Sequence, residues 1–306
     1  MVNLKELSEM KEPITGGHRL CGGCGIPIIL RQVLHATDKP VVVANATGCC
    51  EVTTTIFPQT NWNVPYIHSA FANVGSTMTG IVRMYQALKK KGKIDKEIKF
   101  LAIGGDGGTF DIGLQSLSGA LERGEKFVYL CYNNESYTNT GYQRSGATQR
   151  GTWTTTTPVG KIQKGKTIKR KNLTEIVAAH EIPYVAQSTC GYWNDLITKA
   201  QKAFSTDGPA FLNVLSPCVP GWNFESNLTQ MISKLAVETR YWPLYEIENG
   251  HYRFTLNPKQ KPLEEFLKLQ GRFKHLLRPE NKDILDALKR DIYEDFEKLQ
   301  AKSSQK

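Results

Sequence analysis

The segment LCGGCGIPII sets Cys21 and Cys24 three positions apart among glycines. That spacing serves zinc binding, thiol–disulfide exchange and iron–sulfur ligation equally well, so these two cysteines leave the chemistry open. A second constellation lies further on. The apolar run KFLAIGG leads into GGDGGTFDIGLQ, and the next apolar run ends in YNNESYTNTG, which places Asp106 and then Asn133 and Asn134 after strand-like segments. Glycines around Asp106 let the backbone approach a bulky anion, and a helix beginning near Asp111 offers free N–H groups and a positive dipole end. A carboxylate oxygen from Asp106, an Asn amide oxygen and a backbone carbonyl are hard ligands of the kind magnesium takes, with diphosphate oxygens completing the octahedron.

The elements that must position these groups follow from the hydrophobic pattern. Apolar, β-branched runs at 40–46, 99–105, 126–132, 183–189 and 209–215 predict buried strands. Helical patterns at 69–91, 111–123, 172–180 and 194–205 fall between them. Such alternation implies a parallel sheet covered on both faces, which binds ligands beyond the carboxyl ends of its strands. Twenty-five residues separate Gly107 from Asn133, room for one crossover helix and one strand, so Asn133 and Asn134 are expected at the same sheet edge as Asp106. After Trp242 the pattern changes to a hairpin turning at Asn249-Gly250 and two polar helices, 263–277 and 281–302. The expected organisation is therefore an α/β domain over 1–242 and a hairpin and helical extension over 243–306, packing on the domain or on partner subunits. His68 reads as a capping or core histidine, and the threonine-rich run at 152–157 as an extended segment with local hydroxyl bonds. Cys131 and Cys190, in and at the end of strands, read as core thiols.

Composition bounds the remaining possibilities. With 306 residues, 40% hydrophobic and 22% charged, the chain suits one large domain or two modest ones. Seven cysteines, an odd number, fit thiols in a reducing compartment better than a secreted disulfide scaffold. The opening residues have no signal-peptide pattern and no run is long enough to span a membrane, so a cytoplasmic protein is expected. A net charge of +10 raises the question of nucleic acid. Much of the excess, however, sits in GKIQKGKTIKRKN (160–172) and in C-terminal helices where Lys alternates with Glu, which read as solvated faces. No nucleic-acid module is recognisable, and an acidic partner or an anionic substrate and cofactor suits the charge as well.

Gly-Asp-Gly followed at this interval by Asn-Asn resembles the thiamine diphosphate signature. The segments GHRLCGGCG, ATGCCEVTTTIFPQTNWNVPYIHSAF, AIGGDGGTFDIGLQSLSGALERG, NNESYTNTGYQRSGATQRGTWTTTTPVGK, SPCVPGW and KPLEEFLKLQGRFKHLL resemble the beta subunit of pyruvate:ferredoxin oxidoreductases, in the 2-oxoacid:ferredoxin oxidoreductase family, over nearly the whole chain. The resemblance implies a doubly wound, mainly parallel α/β fold of the diphosphate-binding type. It also implies a [4Fe–4S] cluster on Cys21, Cys24, Cys49 and Cys218, with Cys50 as a neighbouring rival for Cys49. On the cysteines alone, a four-cysteine zinc site uses the same ligands.

By the same resemblance, magnesium is bound by Asp106, the side chain of Asn134 and the carbonyl of Ser136, while Gly105 and Gly107 line the diphosphate and Cys49 lies beside the cofactor. Asn139 corresponds to an amide next to the reacting carbon, where it would hydrogen-bond a substrate oxygen; the bland alternative is a turn residue ahead of Gly141. The implied reaction is coenzyme A-dependent oxidative decarboxylation of pyruvate to acetyl-CoA and CO2, with electrons leaving singly through the cluster to ferredoxin. No domain carrying the Glu that activates the aminopyrimidine is assignable, nor is a clustered cysteine run for ferredoxin-like centres, so partner subunits are expected to supply both. One departure stands out: Gln149 and Arg150 occupy positions where pyruvate enzymes often carry Pro and an aromatic. An extra cation there would favour oxalate, oxidised to CO2 without coenzyme A, and related enzymes take branched 2-oxoacids. The competing class, a non-catalytic α/β interaction subunit stabilised by zinc, leaves Asp106, Asn133 and Asn134 without a task.

Overall fold

Residues 3–304 are described by the computed structural model. Eight strands form one sheet: β1 (Val41–Ala46), β2 (Tyr66–Ser69), β3 (Lys99–Gly105), β4 (Val128–Asn133), β5 (Tyr184–Thr189), β6 (Ala210–Leu215), β7 (Leu244–Glu248) and β8 (His251–Leu256). Their order is β2-β1-β3-β4-β6-β5-β7-β8. The first six are mutually parallel, and β7 and β8 pair antiparallel.

Successive side chains of a strand point to opposite faces, and both faces here are apolar. In β3, Leu101 and Ile103 join one core with Ile29, Val33, Leu196 and Ala200 from the helices Gly25–Leu34 and Trp193–Ser205. Phe100 and Ala102 join the other, with Met78, Val82 and Leu117 from the helices Val74–Lys90 and Leu114–Glu122. The sheet is thus doubly wound, as the alternation of runs implies. Each fully buried Leu or Ile contributes about 1.5–3 kcal/mol relative to an exposed one. No helix among the described residues is long and apolar enough to cross a membrane.

All five expected strands are present with small shifts at their ends. The short strand β2 was not expected: four residues behind Pro65 carry too little periodicity to read. It takes Ser69 out of the expected helix, which starts at Val74 instead. The helix expected over 111–123 is also resolved differently, into a wide π-type turn, Gly107–Ile112, and a regular helix, Leu114–Glu122. Gly113 joins them, and any Cβ there would lie 2.1 Å from the Gly108 carbonyl oxygen, so this junction accepts only glycine.

The hairpin turns at Asn249 and Gly250, with φ of 49° and 81°, the left-handed pair that a two-residue turn requires. Instead of standing apart, it lengthens the sheet, β7 lying against β5. Trp222 and Trp242 share a third core with Phe266, Phe273 and Leu288. The helix expected over 263–277 is broken into Leu263–Leu267 and a 3-10 segment, Gly271–Leu277. The break occurs where the Gly271 N–H leaves the helical ladder and donates to the Asn223 carbonyl, 2.9 Å away. The last helix, Lys282–Ser303, presents Leu288, Ile292, Phe296 and Leu299 inward at helical spacing.

Candidate active site

The chain leaves β1 toward β2 on one side and leaves β3 toward β4 on the other, so the strand order reverses between β1 and β3. A crevice outside the carboxyl ends of such a pair is the usual ligand position in an open α/β sheet. Register supplies the residues: Asn45 pairs with Ile103, Gly105 with Tyr132, and Asn133 with Leu215. Thr47–Cys49, Asp106, Asn134 and Cys218 therefore emerge on one edge from four strands.

A cavity of about 140 Å³ opens there, and Cys49, Gly105, Asp106, Gly107, Asn134, Ser136 and Asn139, the residues expected around a diphosphate and its cation, all line it. Asp106 is 1% exposed. Burial pushes its carboxyl up to about 8, against the opposing hydrogen bonds of the Ser145 hydroxyl at 2.5 Å and the Asn134 N–H at 3.2 Å. The Asn134 side chain presents one amide atom 2.8 Å from both Asp106 Oδ1 and the Ser136 carbonyl. As nitrogen, that atom donates to both. As oxygen, three oxygens converge at the separation of adjacent ligands around magnesium, whose bonds are about 2.0–2.1 Å long. The donor set therefore fits a hard divalent cation. The Thr138 hydroxyl lies 3.0 Å from the other amide atom of Asn134 and 3.2 Å from Cys49 Sγ, linking the Asn134 side chain to Cys49.

Cys49 belongs to two groupings at once. It forms part of the cavity wall, and its charge is also among those that raise the Cys24 and Cys218 thiols. Burial, then the neighbouring charges of Cys49 and Cys21, push the Cys218 thiol up to about 12, while the Gly221 N–H and the Arg272 charge oppose them. Cys24 is raised likewise, by burial first and then by Cys218, Cys49 and Cys21. The Cys21–Cys24 loop is held to the Cys218 segment by the Gly25 N–H, which donates to Pro217 O at 3.3 Å, and to the start of the helix Thr229–Glu238 by the Thr229 hydroxyl, which donates to the Gly23 carbonyl. Cys24 and Cys218 precede the first turns of helices, where the positive end of the backbone dipoles favours thiolate over thiol and opposes the burial that raises both. Among the described residues, no three His, Cys, Asp or Glu side chains are close enough to grip a single metal ion. Cys50 faces elsewhere: it is fully buried and accepts from Asn45 Nδ2 at 3.1 Å. Cys131 and Cys190 are core thiols, as expected.

Comparison with known proteins gives a concordant result. Residues 46–214 match the thiamine pyrophosphate enzyme C-terminal, thiamine pyrophosphate-binding domain. The pyruvate synthase subunit PorB of Thermotoga maritima is 54% identical over 97% of this chain and 95% of its own length. That of Methanocaldococcus jannaschii is 50% identical over 87% and 90%. The chain belongs to the thiamine diphosphate-binding subunits of the 2-oxoacid:ferredoxin oxidoreductase family. Members are subunits of multi-subunit oxidoreductases. The fold is shared with a 2-oxoglutarate:ferredoxin oxidoreductase from Magnetococcus marinus, solved with 2-oxoglutarate, coenzyme A and succinyl-CoA bound, at a TM-score of 0.57 and 18% identity over 91% of this chain and 97% of that one.

Several expectations need correction in this family member. Arg150 does not line the cavity: its Nε donates to Asp291 Oδ2 at 2.6 Å and its Nη1 to the Thr167 carbonyl, so it pins the last helix to the 160–172 loop. That loop is solvated only in part: Lys161 and Ile162 are exposed, but the basic residues from Lys166 on are engaged. Lys166 is 3% exposed with its ammonium on the Thr148 carbonyl, Lys169 pairs with Asp295, Arg170 with Glu135 and Lys171 with Asp111. Asp111 in turn accepts from the Gly146 N–H and from the hydroxyl of Tyr137, which lines the cavity. His68 is half-exposed, with Nε2 2.7 Å from the Thr47 hydroxyl on the cavity wall. The threonine run makes the expected local bonds, Thr154 Oγ1 to Thr157 Oγ1 at 2.6 Å, in a tight turn instead of an extended segment, and does not line the cavity. Phe71, Tyr137, Thr138 and Ser145 were not anticipated, since nothing in their immediate sequence marks them.

Proposed function

We propose that this chain is the thiamine diphosphate- and [4Fe–4S]-binding subunit of a pyruvate:ferredoxin oxidoreductase. Pyruvate would lose CO2, its acyl group would pass to the thiol of coenzyme A, and two electrons would leave singly to ferredoxin with release of one proton. The observation that carries this reading is Cys49, which belongs at once to the cation and diphosphate cavity and to the group of four cysteines. Pyruvate is favoured over other 2-oxoacids because the relatives with about half their residues identical are named pyruvate synthase subunits. Arg150, the feature that pointed to oxalate, is engaged away from the cavity.

Bound thiamine diphosphate would supply the electron sink that decarboxylation of a 2-oxoacid requires. The chain's own residues have the tasks of holding and orienting. Asp106, Asn134 and the Ser136 carbonyl would hold magnesium, and Gly105 and Gly107 would bring backbone to the diphosphate. Asn139, in the turn closed by the Gly141 N–H on Thr138 O, lines the cavity, and its amide would hydrogen-bond the substrate oxygen. Cys21, Cys24, Cys49 and Cys218 would hold a cluster that takes electrons one at a time. Partner subunits would supply the pyrimidine-activating Glu and further clusters, and seven free thiols suit a cytoplasmic setting.

Anaerobic purification of the complex, followed by electron paramagnetic resonance (EPR) with each 2-oxoacid, tests this. Pyruvate with coenzyme A is expected to reduce a brown protein, faster than pyruvate alone and faster than oxalate or branched 2-oxoacids. A colourless protein containing zinc, indifferent to thiamine diphosphate, would establish the interaction-subunit reading instead.

A further inference from the structure

Glu135 stands between the two cation-side residues Asn134 and Ser136, and it is fully buried. Its carboxylate pairs with Arg272 at 2.8 Å and Arg170 at 3.0 Å, and it accepts from the Tyr241 hydroxyl at 2.7 and 2.8 Å. Two guanidiniums thus share one carboxylate. One positive charge is left over where Arg272 is only 2% exposed, and an uncompensated buried charge is costly. Of the three Arg272 guanidinium nitrogens, Nε donates to Gln270 Oε1 at 2.9 Å and Nη1 to Glu135, while Nη2 is buried without a protein acceptor among the described residues. The guanidinium centre lies 3.6 Å from the Trp222 ring centroid. Trp222 ends the single helical turn that follows Cys218, its N–H donating to the Cys218 carbonyl at 2.8 Å, and its indole N–H donates to Asn134 O at 2.8 Å.

We propose that Arg272 is the cationic counterpart of the cysteine group: held by Glu135 and Trp222, it supplies a fixed positive charge, and a donor at Nη2, to an anionic iron–sulfur cluster on Cys21, Cys24, Cys49 and Cys218, and raises that cluster's reduction potential. This rests on the cluster reading above. Four thiolates leave such a cluster negative and reduction makes it more so, so a neighbouring cation stabilises the reduced form more than the oxidised one. A planar guanidinium stacked on an indole keeps its donors in a fixed plane, which a lysine ammonium would not. Arg272 is on this account a positioning and tuning residue, not a catalytic one.

Potentiometric EPR of the anaerobic complex tests the proposal on the signal that Cys24→Ser removes. Arg272→Gln is expected to lower that cluster's midpoint potential, and Glu135→Gln to raise it. Arg272→Lys, which keeps the charge, is expected to stay closer to wild type than Arg272→Gln does. A merely structural role would move both glutamine variants the same way, because each breaks the same buried pair. Shifts of one sign, or no shift, overturn the proposal and leave the cluster reading standing; a Cys24→Ser complex that loses no signal overturns the cluster reading itself. Should Arg272→Gln fail to assemble, Glu135→Gln alone decides, since anything but an upward shift contradicts the proposal.

Discussion

Asp106 and Arg272 are almost equally sealed from water, at 1% and 2% exposure, and both are tied to the three-residue loop Asn134–Ser136, yet their surroundings are opposite in charge. Asp106 is a carboxylate met only by neutral donors, Ser145 and the Asn134 N–H. Arg272 shares its one carboxylate with a second arginine. The left-handed backbone at Glu135, φ 63°, sends that carboxylate to the arginines while Asn134 and Ser136 face the cavity. One loop thus divides a region short of positive charge from a region short of negative charge. A cation with a diphosphate suits the first, and a cluster of four thiolates suits the second.

The largest expected effect falls on the first region alone. Asp106→Ala is expected to cost on the order of 3–5 kcal/mol of magnesium and thiamine diphosphate binding, measured by calorimetry on the anaerobic complex, while iron content holds. Iron loss equal to the thiamine loss would mean that the regions are not separable. Gly107→Ala should have a smaller effect of the same kind. A Cβ at this position would lie 2.4 Å from the Tyr137 ring and push it into the cavity, costing about 1–3 kcal/mol in cofactor affinity. Wild-type affinity would show that the cavity tolerates a displaced Tyr137. The smallest effect is expected outside both regions: Arg150→Gln should change turnover of pyruvate and of oxalate by less than about threefold and lower stability by about 1 kcal/mol, read from thermal unfolding. A selective change toward oxalate would return Arg150 to the substrate site.

The parts of this arrangement visible in the sequence are those whose spacing the sheet itself dictates. Asp106 and Asn134 announce themselves because a strand end, a crossover helix and a second strand end recur at a fixed interval, and Cys21 and Cys24 because glycine and cysteine crowd together. Arg272 and Glu135 were not legible, because a buried ion pair 137 positions apart leaves no local pattern. Lys169 and Arg170 misled for the same reason: a basic, glycine-interrupted run looks solvated unless its acidic partners, Asp295 and Glu135, are known to lie beside it. The break before Gly271 was hidden because the polar and apolar residues of 263–277 still repeat at helical spacing, whereas the bond that interrupts them comes from Asn223.

Elemental and thiamine analysis of anaerobically purified complexes tests the division most directly, with wild type set against Cys24→Ser and Cys50→Ser. The account predicts that Cys24→Ser loses the iron of one four-iron cluster per copy of this chain and keeps its thiamine diphosphate, while Cys50→Ser keeps both. Unchanged iron in Cys24→Ser, or zinc in place of iron in the wild type, would contradict it.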